Sequence, residues 1–341
     1  MTNVGSSRVF NTLLLIALTG VAVQMYRSFL LVPQFQLFAL RVITMFLEAL
    51  PFLVAAALLT AIAREILPSP RIVQFCRERR PLGLPLIVIS GFLLPLDEVR
   101  LPALFRDLRS RGLPTPHLAA ALLAIPLINP VVVASTIAAF PSKPELVAFR
   151  FLAGLIIALA VGALLVAWTP PERNAESRKR TSPEEAHPGP VTESGAPESG
   201  ATMKARADRV IQKGLAGFLM LGRFFLVAAA VTALLQSIEL PPALGQLRAA
   251  LIPSALVATG LAYLLAAPAA GDAFVARGLL TVLPLPALTG FLVLGPMLNL
   301  RNTPVFAQIL KTGHVVLLHI AVFALSLAAA LAAALLMQWT P

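Results

Sequence analysis

Nine apolar runs separated by short polar stretches account for most of this chain. They cover residues 13–32, 37–62, 81–96, 118–140, 146–168, 214–238, 249–270, 283–300 and 314–339. About 20 apolar residues wound as a helix cross a hydrocarbon core about 30 Å thick, and most of the runs reach that length. The pattern therefore predicts an all-α polytopic membrane protein with roughly eight to nine spans. The first run lacks a clear small-x-small exit, so it reads as a retained helix rather than a cleaved signal peptide. Between Thr169 and Asp208 the composition turns to Pro, Glu, Ser, Gly, Arg and Lys, which cannot bury a core and reads as a flexible linker. The expected division is an N-terminal membrane helix over 1–36, a unit over 37–168, the linker over 169–207 and a second unit over 208–341.

The two units repeat each other about 170 residues apart. Phe52-Leu53-Val54-Ala55-Ala56-Ala57 recurs as Phe225-Leu226-Val227-Ala228-Ala229-Ala230. Leu113, Pro114, Pro116, Leu118, Leu122, Pro126 and Asn129 recur as Leu283, Pro284, Pro286, Leu288, Leu292, Pro296 and Asn299. Ala163-Leu164-Leu165-x-x-Trp168-Thr169-Pro170 recurs at the end as Ala334-Leu335-Leu336-x-x-Trp339-Thr340-Pro341. Three blocks in one order and at nearly one offset imply duplication. The first helix stands outside the repeat.

Composition agrees with the pattern: 58% of the 341 residues are hydrophobic and 13% charged, against about 45–50% and about 25% in soluble domains. The net charge of +11 does not form a nucleic-acid patch, because the cations fall in short loops between apolar runs. They act instead as orientation signals. Arg64, Arg71, Arg77, Arg79 and Arg80 place one loop, and with it the N-terminus, in the cytoplasm. Run 81–96 is short, contains three prolines and is basic on both sides, so it reads as re-entrant. If it dips and returns, the linker is cytoplasmic and the halves are inverted; if it spans, they are parallel. Inversion is the favoured reading.

Each half breaks a membrane segment with proline and asparagine: Pro126-x-x-Asn129-Pro130 and Pro296-x-x-Asn299. Proline lacks an amide hydrogen and strands a carbonyl, which at membrane depth must face protein or a water-filled cavity. Breaks at matched positions of two repeats point to a transporter's substrate site near the midplane. The asparagines offer donors and acceptors to a substrate or to the broken backbone. Prolines that kink packed helices and asparagines that tie them are the plainer alternative. Glu48, ten residues into its apolar run, is read as an ion pair with Arg223, as a proton-coupling carboxylate or as an interfacial residue of no special role. Asp97, Glu98 and Arg100 follow the short run and Asp272 follows its counterpart, so both halves put acid at an approach to the site.

An enzyme is not expected. Gly271-Asp272 with Pro286-Ala287-Leu288 suggests an intramembrane aspartyl protease, but no second aspartate lies within a spanning run. No metal is expected either, since His117, His187, His314 and His319 are scattered and Cys76 is the lone cysteine. No Walker A motif occurs, so no nucleotide cofactor is expected in this chain.

Glu48-Ala49-Leu50-Pro51-Phe52, Ile128-Asn129-Pro130, Gly222-Arg223-Phe224, Asp272-Ala273-Phe274-Val275-Ala276 and Gly295-Pro296-Met297 occur in this order. The chain thereby resembles a bacterial permease family that includes the organoarsenical efflux permease ArsP and YraQ-like and YcgR-like predicted permeases. The resemblance implies a multi-pass inner-membrane permease for a small solute or ion, working by efflux in some members and with a second membrane subunit or as a homo-oligomer. Many members carry Cys-x-Cys after the position of Pro95-Leu96, a pair of soft ligands for arsenicals. Here those positions are Asp97 and Val99, which points to a harder or anionic species, or to a non-transporting partner subunit.

Overall fold

The computed structural model describes residues 33–63, 74–76, 78, 80–93, 108–168, 203–237 and 249–337. The first apolar run, the linker over 169–200 and Asp97, Glu98 and Arg100 lie outside the described residues. All regular structure among the described residues is helical. In chain order the helices are α1 (Pro33–Ala63), α2 (Arg80–Leu93), α3 (Thr115–Ala124), α4 (Pro130–Ala139), α5 (Pro144–Trp168), α6 (Met203–Ser237), α7 (Leu251–Leu265), α8 (Asp272–Leu279), α9 (Leu285–Met297), α10 (Thr303–Ile309) and α11 (Thr312–Leu336).

Four of them, α1, α5, α6 and α11, are long and apolar enough to cross a membrane. Their outward faces carry large apolar side chains at helical spacing: Leu37, Leu40, Ile43, Leu47 and Leu58 on α1, and Ile211, Leu215, Leu219 and Leu226 on α6. In water so large an exposed apolar surface would drive association, and in a bilayer it is the lipid-facing surface. The short helices α3 and α9 behave oppositely. Apart from Thr115 and His117 of α3 and Thr289 of α9 both are apolar, and nearly every residue of each is buried. Apolar nearly all round, they form the centre of the molecule. There they touch one another.

Two features depart from the sequence reading. Run 249–270 is not one helix: α7 ends at Ala266, which takes the left-handed conformation (φ 45°, ψ 40°), and a turn at Pro268 leads into α8. Hydropathy cannot register that turn, since every residue from Leu264 to Ala270 is apolar. Helix α6 begins at Met203, inside the stretch assigned to the linker. Lys204, Arg206, Arg209 and Lys213 in its first turns keep hydropathy low, yet all are adequate helix formers.

Helix α1 packs against α6 along their lengths. Arg41 Nη1 donates to Ser237 Oγ at 2.8 Å, the Phe46 and Phe225 rings lie 6.2 Å apart, and Leu58 covers Gly214. Rising numbers on α1 meet falling numbers on α6, so the two helices are antiparallel. Within the first half α2 lies on α3 and α5, and α3 on α5; within the second α7 lies on α9 and α11, and α9 on α11. Small residues set both inner contacts. A β-carbon on Gly162 of α5 would come within 2.8 Å of the Ala120 methyl on α3, and one on Gly290 of α9 within 3.3 Å of the Ala330 methyl on α11. Close helix approach at such residues replaces the hydrophobic drive that lipid does not supply.

Candidate functional site

Helix α8 gathers the charges. At its start Asp272 follows Gly271, where a β-carbon would run into the Phe225 ring and reach Leu53, and the helix packs against α1, α4, α6 and α9. Asp272 is 1% exposed and meets Arg150 of α5, 0% exposed, with Nη2 donating to Oδ2 at 2.6 Å. Arg150 Nη1 donates to Thr136 Oγ1 on α4 at 2.7 Å, and Thr136 in turn donates to the Val132 carbonyl at 2.6 Å. Arg150 Nε is buried with no hydrogen-bond partner. A β-carbon on Gly295, next to Pro296, would sit 4.0 Å from Asp272 Oδ2. The ion pair therefore joins both broken segments, reaching α4 through Thr136 and approaching the end of α9. An aspartate at a helix N-terminus is also favoured by the helix dipole.

The opposite end of α8 holds a second pair. Arg277 Nη2 donates to Glu48 Oε2 of α1, both side chains being 35% exposed, and the Phe274 and Phe52 rings lie 5.6 Å apart beside them. This corrects the expected Glu48–Arg223 pair. Arg223 is exposed on α6, its guanidinium 5.0 Å from the centre of the neighbouring Phe224 ring. Repeat alignment puts Arg223 two positions beyond the mate of Glu48 in sequence, but the antiparallel register of α1 and α6 leaves Glu48 facing α8 instead.

Both asparagines serve their own broken backbone. Asn129, 2% exposed, caps α4: its Oδ1 accepts the Val131 amide at 2.9 Å, and Pro130 fills the first helical position, where no amide hydrogen is needed. Pro126 lies in the buried turn between α3 and α4. Asn299, 0% exposed, does more. Its Nδ2 donates to the Gly295 carbonyl at 2.8 Å, while its Oδ1 accepts the Arg301 and Asn302 amides at 3.1 and 3.0 Å. Asn302 returns the favour, accepting the Asn299 amide at 2.9 Å and donating to the Met297 carbonyl at 3.2 Å. Pro296 sits one residue before the end of α9.

The structure thus brings Asp272 to the broken segments, leaves Glu48 at the rim of α8 and turns Asn129 and Asn299 inward to the chain. Arg150 and Thr136 were missed by sequence reasoning. A signal existed: Arg150 stands between Phe149 and Phe151 inside an apolar run, and an ionisable residue there is costly unless it is used. Among the described residues no three His, Cys, Asp or Glu side chains form a group able to hold a metal. Cys76 is buried against α2, its Sγ donating to the Gly83 carbonyl at 3.5 Å, and burial pushes its thiol up to about 11.

The family described as a predicted permease, ArsP_1, matches residues 34–335. The UPF0718 protein YcgR of Bacillus subtilis (strain 168) is 25% identical over 276 residues, covering 81% of this chain and 90% of its own length. A putative two-component membrane permease complex subunit of Streptococcus mutans serotype c is 25% identical over 275 residues, covering 79% of this chain and 86% of its own. No solved structure matches.

Proposed function

This chain belongs to the ArsP_1 predicted permease family, and from that premise we propose that it carries a small solute or ion across the bacterial inner membrane past the Arg150–Asp272 pair. It is a multi-pass membrane protein, and its family is described as a predicted permease. The observation that carries the reading is the buried ion pair itself. A fully desolvated Arg–Asp pair is weak evidence of stability, because hydrophobic replacements are often neutral or better. Kept where two interrupted segments meet, it is well suited to open its charges to a passing solute.

The duplicated, inverted arrangement belongs to the same proposal. It is supported by the antiparallel α1–α6 contact and by the matched helix partners of the two halves. An in-plane two-fold axis makes equivalent long helices antiparallel, whereas a parallel repeat does not. With α1 and α6 antiparallel, the end of α1 at Ala63 and the start of α6 at Met203 share one side. The basic stretches next to them in sequence then share the cytoplasmic side. In this reading Asp97, Glu98 and Arg100 supply the approach in the first half that Asp272 supplies in the second. The substrate is one that needs no thiolate ligand, since Asp97 and Val99 occupy the positions of the family's cysteine pair and Cys76 holds its proton.

Reconstitution of the purified chain in vesicles tests the reading. Candidate solutes come from growth of a deletion strain on metals, metalloids and organic arsenicals. Counterflow of one of them, reduced at least about tenfold by Asp272→Asn in protein that remains folded, is the expected result. Full counterflow in folded Asp272→Asn would sink the site. A second reading, a subunit of a two-membrane-protein complex, is favoured by the name of the Streptococcus mutans relative. Counterflow that appears only when a partner membrane protein is co-reconstituted would select it.

A further inference from the structure

We propose that His319 is a proton-binding site that latches the second helix break. Its ring is half-buried on α11, with Nδ1 2.7 Å from the Val315 carbonyl one turn earlier. Only a protonated nitrogen can donate to a carbonyl, so Nδ1 carries hydrogen whatever the charge of the ring. Nε2 lies 3.0 Å from Thr303 Oγ1. That hydroxyl also lies 2.9 Å from the Asn299 carbonyl and 3.1 Å from the Tyr263 hydroxyl. Thr303 is the first residue of α10, and Asn299 is the residue whose side chain ties the end of α9 to the start of α10.

The hydroxyl has one hydrogen for two acceptors. When the imidazole is neutral, Nε2 is an acceptor and takes it, leaving the Asn299 carbonyl with the Thr303 amide at 3.1 Å. When Nε2 binds a proton from water, the new N–H donates to Thr303 Oγ1. The threonine hydrogen then turns to the Asn299 carbonyl, while Tyr263 donates to Thr303 in either state. Protonation thus adds a hydrogen bond across the break.

The charged surroundings are sparse. Helix α7 offers Tyr263 as its one ionisable side chain, and α9 and α10 offer none. Helix α5 carries Glu145 and Arg150, the latter engaged by Asp272 and Thr136. Arg301, within the break, lies over Phe224 at 4.7 Å, and α11 itself adds His314, with Lys311 just before it. In the first half, at the offset of 170 that aligns Asn129 with Asn299, Phe149 stands at the place of His319 and Val133 at the place of Thr303. Only the second break can respond to protons in this way.

Hydrogen exchange of the full chain in lipid nanodiscs from about pH 5 to about pH 8, corrected for intrinsic rates, tests the latch. Amides of residues 299–303 are expected to be about three- to tenfold better protected at the acid end, the factor one added hydrogen bond supplies. The midpoint should match the His319 ring titration followed by nitrogen NMR. His319→Gln should abolish both the titration and the change in protection. Thr303→Val should keep the titration and lose the change. A flat wild-type profile, or a change that persists in either folded variant, would overturn the proposal. The role of this proton in coupling rests on the permease reading, but the exchange measurement does not. A chain that fails in counterflow and still shows the acid-dependent protection would refute transport and leave the latch standing.

Discussion

Arg150 and Asp272 are both buried, so each ion's compensating charge comes from the other. Removing one partner strands a buried ion, at a cost of about 3–5 kcal/mol, whereas replacing both by apolar residues of similar size is often neutral. Asp272→Leu and Arg150→Met alone should therefore lower the melting temperature in detergent sharply, and the double variant should recover most of the loss. A double variant no more stable than the singles would mean the pair is not mutually compensating. Cys76 makes the opposite kind of prediction. Its thiol, pushed up to about 11 by burial, is neutral at physiological pH. Maleimide should label it slowly in folded protein and rapidly once the chain is unfolded. The sign for stability follows from the same shift: burial of the neutral thiol favours folding below its ordinary value and loses that advantage as pH rises through about 11.

At the scale of elements, the two breaks resemble one another in sequence and each is tied by its asparagine. Asn129 accepts the Val131 amide at the start of α4, and Asn299 donates to one carbonyl and accepts two amides between α9 and α10. Asn129→Ala should cost about 1 kcal/mol, the usual loss of an N-cap. Asn299→Ala should cost severalfold more, at roughly 1–3 kcal/mol for each buried group left unpaired. Equal melting temperatures for the two variants would contradict this account. The inner contact of α3 with α5 is similarly checkable. Gly162→Leu forces a side chain against Ala120 and Leu84 and should destabilise by about 1–3 kcal/mol, read from thermal unfolding.

At the scale of the whole molecule, the antiparallel α1–α6 contact predicts that both basic stretches lie on one side of the membrane. Single cysteines at Ser69 and Ser182, introduced in Cys76→Ala, should be labelled from the cytoplasmic side and protected from impermeant reagent outside. Labelling from opposite sides would require parallel halves. The membrane class, the positions of most helices and the two breaks were legible in the sequence, because each depends on local chemistry: apolar length, a missing amide hydrogen, a run of charge. Proline and asparagine at 126–130 and 296–299 announced their breaks by residue type alone. The break after Leu265 was not legible, since an all-apolar turn leaves no mark on hydropathy. Nor was pairing legible. Glu48 found Arg277 instead of Arg223, and Asp272 found Arg150 across 122 residues of chain. Which charges meet is decided by helix register and crossing direction, and those are set by packing of Gly162, Gly290 and their neighbours across the interior. The sequence determined what had to be buried and where helices had to stop; tertiary structure decided which buried groups could satisfy one another.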